Sequence, residues 1–149
     1  MALNLDCIGK RYPDTPGYEV GREKVREFVE ATGATHPHSV DIEAARSAGY
    51  RDLVAPPTFA VVIAQPATKQ ASFDPEVGVD YSRVVHGEQR FVHHEPICAG
   101  DVVTARVTIT DVRPAGTNWR LTTQTTLHRL ADDALLCTAT SSLIERGEG

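Results

Sequence analysis

Four of the six histidines in this 149-residue chain come in close pairs, and imidazole is the side chain best suited to move a proton near neutral pH or to hold a metal. His36 and His38 stand two residues apart in "FVEATGATHPHSVD", and His93 and His94 are adjacent in "FVHHEP". A metal site would need further ligands at matching spacing, and neither cysteine nor carboxylate supplies them. The pairs therefore read as polar loop and strand-surface histidines, and neither a metal nor a cofactor is implied. Cys7, Cys98 and Cys137 could offer thiolates, but they are an odd number, far apart and without a CxxC spacing. They read as reduced, buried thiols that fill space. Asp41 reads as a helix N-cap, Gly100-Asp101 as a tight turn with a self-bonding aspartate, and Trp119 as a core or interface residue.

The composition narrows the function classes. With 41% apolar and 23% charged residues the chain has the mixture of one soluble globular domain spanning 1–149. A formal net charge of -5, with only 15 Lys and Arg scattered along it, argues against a phosphate-binding surface and so against nucleic acid. The longest apolar run, 59–64, has six residues, against the roughly 20 that span a bilayer. Asp6 and Lys10 interrupt what would be the apolar part of a signal peptide in "MALNLDCIGKRYPD". A cytoplasmic protein without membrane insertion is expected.

The elements that would position these side chains follow from periodicity. Val25, Phe28 and Val29 recur at i, i+3 and i+4 among charged residues, predicting an amphipathic helix over 22–32 that Gly33 ends. A short helix over 42–48 follows, with Gly49 as its stop. In "LVAPPTFAVVIAQP", Pro56 and Pro57 suit the start of a helix, "TFAVVIA" is apolar nearly all round and calls for full burial, and Pro66 disrupts it. The second half alternates with a period of two. Val103, Ala105, Val107 and Ile109 mark one strand, and "RPAGTN" turns it. Trp119, Leu121, Thr123, Thr125 and Leu127 mark the next; "ADDA" leads into a third over 135–144, and "VVHGEQRFVHHEPI" supplies another before "CAGD". An oily helix and several half-buried strands satisfy each other in an α+β layout, a curved antiparallel sheet wrapped around the helix.

The ordered set "YEVGREKVREFVEATG", "AARSAGYRDLVAPPTFA" and "VVHGEQRFVHHEPICAGD", followed by the Thr-rich strands, resembles the MaoC-like (R)-specific enoyl thioester hydratases and dehydratases, whose fold is the hot dog. Within that family it looks most like the short MaoC N-terminal-half, FAS1 dehydratase-region-like proteins related to (3R)-hydroxyacyl-ACP dehydratase subunits of actinobacteria. The resemblance implies a motif Gly-Asp-x-Asn-Pro-x-His after the first helix, its Asp and His handling water and the α-proton. Here Gly33 and Pro37 match, His36 stands at the Asn position, Ala34 at the Asp and Ser39 at the His. Ala34 has no proton acceptor, and Ser39 cannot replace an imidazole without a base of its own. The family's His-Gly pair at the central helix, whose glycine N–H serves the oxyanion, falls on Pro56-Pro57; proline has no N–H, which leaves Thr58 and Phe59 as backbone donors.

With no catalytic residue expected, the resemblance implies a division of labour. This chain would be a substrate-binding, non-catalytic subunit of a (3R)-hydroxyacyl-ACP dehydratase in type II fatty acid synthesis, with a MaoC-like partner supplying Asp and His in a double hot dog. Thr58, Phe59, Val62 and Ile63 would line or cover the acyl tunnel, and the ligand would be a thioester of acyl carrier protein or coenzyme A. Arg83, Arg90 and Arg113 could receive such a carrier, but isolated arginines read as solvated surface charge. Two alternatives stay open: a self-sufficient homodimeric hydratase using His38, on a segment read as extended, and a non-enzymatic acyl thioester binding or regulatory homodimer.

Overall fold

A computed structural model describes residues 2–148. Helix α1, Arg22–Thr32, ends where Gly33 adopts a left-handed φ of 68° and returns its N–H to the Val29 carbonyl, a conformation that glycine takes without a Cβ penalty. Val25 and Val29 are buried, and half-buried Phe28 meets Phe59 edge-on at 5.3 Å. The next segment is not extended: Pro37–Val40 form a helical turn, α2, capped by His36, whose Nδ1 accepts the His38 N–H at 3.2 Å. Helix α3, Ile42–Ser47, starts as expected, with Asp41 Oδ1 accepting from the Glu43 and Ala44 N–H groups.

Pro57–Phe59 form a 3₁₀ turn, and the central helix α4, Ala60–Ser72, runs straight through Pro66. This corrects the expectation of a helix disrupted there. Ala60, Ile63, Ala64, Ala67 and Ala71 are 4% exposed or less, so sheet packing holds the helix on both sides of the proline. Pro66 lies on the solvent side with exposed Gln65 and Lys69, where water can satisfy the carbonyl that its missing N–H leaves free. The helix is also not buried all round, since Val61 is 37% exposed.

Five strands, β1 (Tyr18–Glu19), β2 (Val84–His93), β3 (Val102–Ala115), β4 (Asn118–Arg129) and β5 (Leu135–Glu145), form one antiparallel sheet in the order β1-β3-β4-β5-β2. Val103, Ala105, Val107 and Ile109 turn inward as their alternation predicted, with Leu121, Leu127, Cys137 and Ala139 beside them. Register shifts between His86 and Glu88, Ile109 and Asp111, and Leu127 and His128 bend the strands, and the sheet curls around α4. Gly87 sits at the first of these, where a Cβ would come within 3.0 Å of Ile144 Cγ1 and 3.3 Å of the Ser142 carbonyl. The N-terminal segment closes a second apolar cluster, Leu3, Cys7, Ala71, Val77, Ile109, Val112 and Leu121. It is pinned there by Asp74, which accepts from Lys10 Nζ and the Tyr12 hydroxyl, both at 2.6 Å. Strand β2 ends the sheet, and among the described residues no strand pairs with its outer edge. No helix among them is long and apolar enough to cross a membrane.

Candidate functional site

The segment Val54–Ala55 ties the site together. Its backbone bonds in both directions: the Val54 N–H donates to the His38 carbonyl at 2.9 Å, and the Ala55 N–H to the Ile97 carbonyl at 2.7 Å. Turn α2 and the end of β2, some 55 residues apart in sequence, are thereby drawn onto opposite sides of one cavity of about 520 Å³. His36, His38, Tyr50, His93 and His94 are its polar lining, and Val54, Ala55, Pro57 and Ile97 its apolar lining. His36, His93 and His94 are exposed, as loop and strand-surface histidines should be, and both pairs border the same cavity. Tyr50 went unrecognised, and although both histidine pairs were marked in the sequence, nothing in their spacing showed that they meet.

Ala34 is half-buried against the main core, and its N–H donates to the Val29 carbonyl, so it serves as the last residue of a helix stop. Ser39 lines the cavity but is only 4% exposed, and its hydroxyl donates to the Val54 carbonyl at 2.6 Å. That hydroxyl holds the loop together and has no base beside it. His38 does reach the cavity, its ring 5.2 Å from Tyr50 and 4.5 Å from His36, with no carboxylate bonded to it. Glu95 is the carboxylate on the rim, and it accepts from Arg129 Nη2 at 2.8 Å. Among the described residues, then, no imidazole of the cavity is hydrogen-bonded to a carboxylate, and no three His, Cys, Asp or Glu side chains come together as metal ligands. His93 Nε2 lies 2.9 Å from the Pro57 carbonyl; a carbonyl can only accept, so that nitrogen carries the proton.

The expected acyl-tunnel residues lie elsewhere. Phe59 is fully buried, edge-on to Phe28 and Tyr18; Ile63 is 1% exposed in the same core; Val62 packs half-buried against it; Thr58 is exposed. None of the four lines the cavity, which meets the start of the central helix at Pro57.

A model of the FAS1-like dehydratase domain region matches residues 6–138. The chain belongs to this family. It is 47% identical over 147 residues to a UPF0336 protein of Saccharopolyspora erythraea, covering 99% of this chain and 94% of that one. A crystal structure of the C-terminally truncated HadBC (3R-hydroxyacyl-ACP dehydratase) complex of Mycobacterium tuberculosis superposes with a TM-score of 0.81 at 35% identity, covering 95% of this chain and 99% of that one. A MaoC-like dehydratase superposes at 0.86 with 30% identity over 95% of this chain, which spans 42% of that longer protein. The fold is thus the hot dog, its sheet curled around α4, and the family is that of the MaoC-like dehydratases.

The remaining residues marked in the sequence have structural partners. Asp101 does more than close its turn: its side chain is fully buried, Oδ2 accepting the Cys98 N–H at 2.9 Å and Oδ1 accepting from Arg51 Nη2 at 2.6 Å. Arg83 lies 3.1 Å from Asp80 Oδ2, Arg113 lies 3.1 Å from Asp111 Oδ2, and Arg90 is 4.0 Å from Glu88 Oε1. Trp119 packs half-buried on the second cluster. All three cysteines are free and buried, and burial pushes each thiol up, Cys137 to about 11.

Proposed function

We propose that the chain is the substrate-binding, non-catalytic subunit of a heteromeric (3R)-hydroxyacyl thioester dehydratase of type II fatty acid synthesis, acting in the cytoplasm as one hot-dog domain. The observation that carries the proposal is the fate of the acid-base pair: a methyl group at Ala34, and at Ser39 a hydroxyl already donated to the Val54 carbonyl. Positioned acid-base groups contribute about 10²–10⁴ in rate. Their loss in a kept scaffold fits a subunit whose MaoC-like partner brings Asp and His. The unpaired outer edge of β2 offers that partner a strand to add to, and the HadBC relative is itself a complex of two proteins. Thr58, Phe59, Val62 and Ile63, at the start of the central helix, would cover rather than line the path an acyl chain follows, since Phe59 and Ile63 are buried in the core, the carrier being acyl carrier protein or coenzyme A.

The test is to assay dehydration of a 3-hydroxyacyl thioester by the purified chain and by its complex with a MaoC-like subunit that has both catalytic residues. Turnover belongs to the complex alone and disappears when the partner's acid-base pair is removed. Enzyme-like turnover by the isolated chain would refute the proposal. One observation favours a self-sufficient homodimer, the His38 ring at the cavity wall; in that case His38→Ala abolishes activity of the chain on its own.

A further inference from the structure

We infer that the cavity between turn α2 and the end of β2 is a binding site for a small anion with a short apolar tail, a carboxylate or a phosphate monoester. This goes beyond the subunit assignment and holds for the chain alone. The cavity, about 520 Å³, is of the size that small-molecule sites have. Its lining is of two kinds. The polar part is rich in donors and poor in competing negative charge. His36 Nδ1 is occupied by the His38 N–H, so Nε2 of the neutral ring carries the proton and donates. Among the described residues the His38 ring and the Tyr50 hydroxyl, both half-buried, make no side-chain hydrogen bond of their own, while His94 Nε2 meets only the Thr138 hydroxyl, at 3.1 Å. Glu95 on the rim is answered by Arg129.

Several N–H and O–H groups without acceptors match an oxyanion, whose hydrogen bonds are the stronger, charge-assisted kind. In the same lining Val54, Ala55, Pro57 and Ile97 present carbon to whatever follows the anion, enough for a chain of a few methylenes. A metal is the other ligand that imidazoles take, but they do not converge as ligands here. With no acid-base pair in the cavity, the anion stays bound unchanged, as a regulatory ligand or a retained product would.

Hexanoate, hexyl phosphate and 1-hexanol are titrated calorimetrically into the full chain, and into His38→Ala, His94→Ala and, as a control outside the cavity, His128→Gln. The anions bind saturably, and the alcohol at least about tenfold more weakly, because only the anions make charge-assisted hydrogen bonds. His38→Ala and His94→Ala each lose about fivefold or more for the anions, and His128→Gln loses nothing. A preference between the two anions tells a carboxylate source from a phosphate source. The inference is overturned if the alcohol binds as well as the anions, if both cavity variants bind like wild type, or if no saturable binding is seen up to about 10 mM. His94 lies exposed at the end of β2, so its variant carries the test should His38→Ala fold poorly. None of these outcomes depends on dehydratase turnover, so this site and the subunit assignment stand or fall separately.

Discussion

Ser39→Ala separates a structural hydroxyl from a catalytic one. Ser39 is 4% exposed and donates to the Val54 carbonyl at 2.6 Å, and among the described residues no other donor reaches that carbonyl. Removing the hydroxyl loses one hydrogen bond and leaves a half-buried acceptor to find water, a cost of about 1–2 kcal/mol. For a domain of this length that lowers Tm by about 2–8 °C. The same variant, assayed in complex with a MaoC-like partner, keeps its turnover within about twofold, because Ser39 touches no reacting atom. A serine that took part in proton transfer would instead cost about 10²–10⁴ in rate. Thermal denaturation and steady-state kinetics on one preparation decide between the two. A hundredfold loss of turnover with an unchanged Tm would refute the structural role.

Asp74→Asn loosens the N-terminal closure. Its hydrogen bonds to Lys10 and Tyr12 hold the Asp74 carboxyl down at about 2. A folded value below the unfolded one gives stability that is complete above about pH 4 and lost as pH falls through about 2. The drop corresponds to about 2 kcal/mol at most, less because solvent screens Lys10, so the variant loses about 1–2 kcal/mol at pH 7 and clearly less at pH 3 by urea denaturation; equal losses at both pH values would refute the linkage. Asp101→Ala strips a fully buried carboxylate from exposed Arg51 and from the Cys98 N–H, and loses about 1.5–3 kcal/mol in the same assay. A loss below 1 kcal/mol would count against it. Ellman's reagent finds Cys7, Cys98 and Cys137 unreactive in the native protein and all three reactive in denaturant, since burial raises each thiol.

Elements that follow local rules were legible from the residues alone. Helix α1 shows its apolar spacing and its glycine stop, α3 its aspartate cap, and β3 to β5 their alternation, because in each the pattern that buries one face is written in adjacent residues. Features decided by distant contacts were not legible. A proline in a helical run reads as a stop, yet α4 continues because five small or branched side chains on one face pack against the sheet while Pro66 faces water. Turn α2 is four residues long, too short to stand by propensity, and depends on the His36 cap and the Ser39 bond to Val54. The cavity was illegible for the same reason: Val54–Ala55 bonds on one side to His38 and on the other to Ile97, and nothing in either histidine pair encodes that bridge.

On the proposed reading, restoring the acid-base pair alone is not enough. The resemblance to the catalytic family implies a backbone N–H where the oxyanion forms, at the start of the central helix. At Pro57 there is no N–H, and the carbonyl of the same residue faces His93, which donates to it at 2.9 Å. On the proposed reading base, acid and the donor at Pro57 are absent together, and recovering two leaves a deficit of about 10²–10³ from the third. Ala34→Asp with Ser39→His gives no measurable turnover by the isolated chain, and the imidazole must also enter a position only 4% exposed, at a packing cost of about 1–3 kcal/mol. Adding Pro57→Gly supplies the N–H and is the change after which activity first becomes detectable. Turnover by the double variant that matches the triple would mean that Thr58 or Phe59 already serves the oxyanion, and that the start of this helix is still built for chemistry.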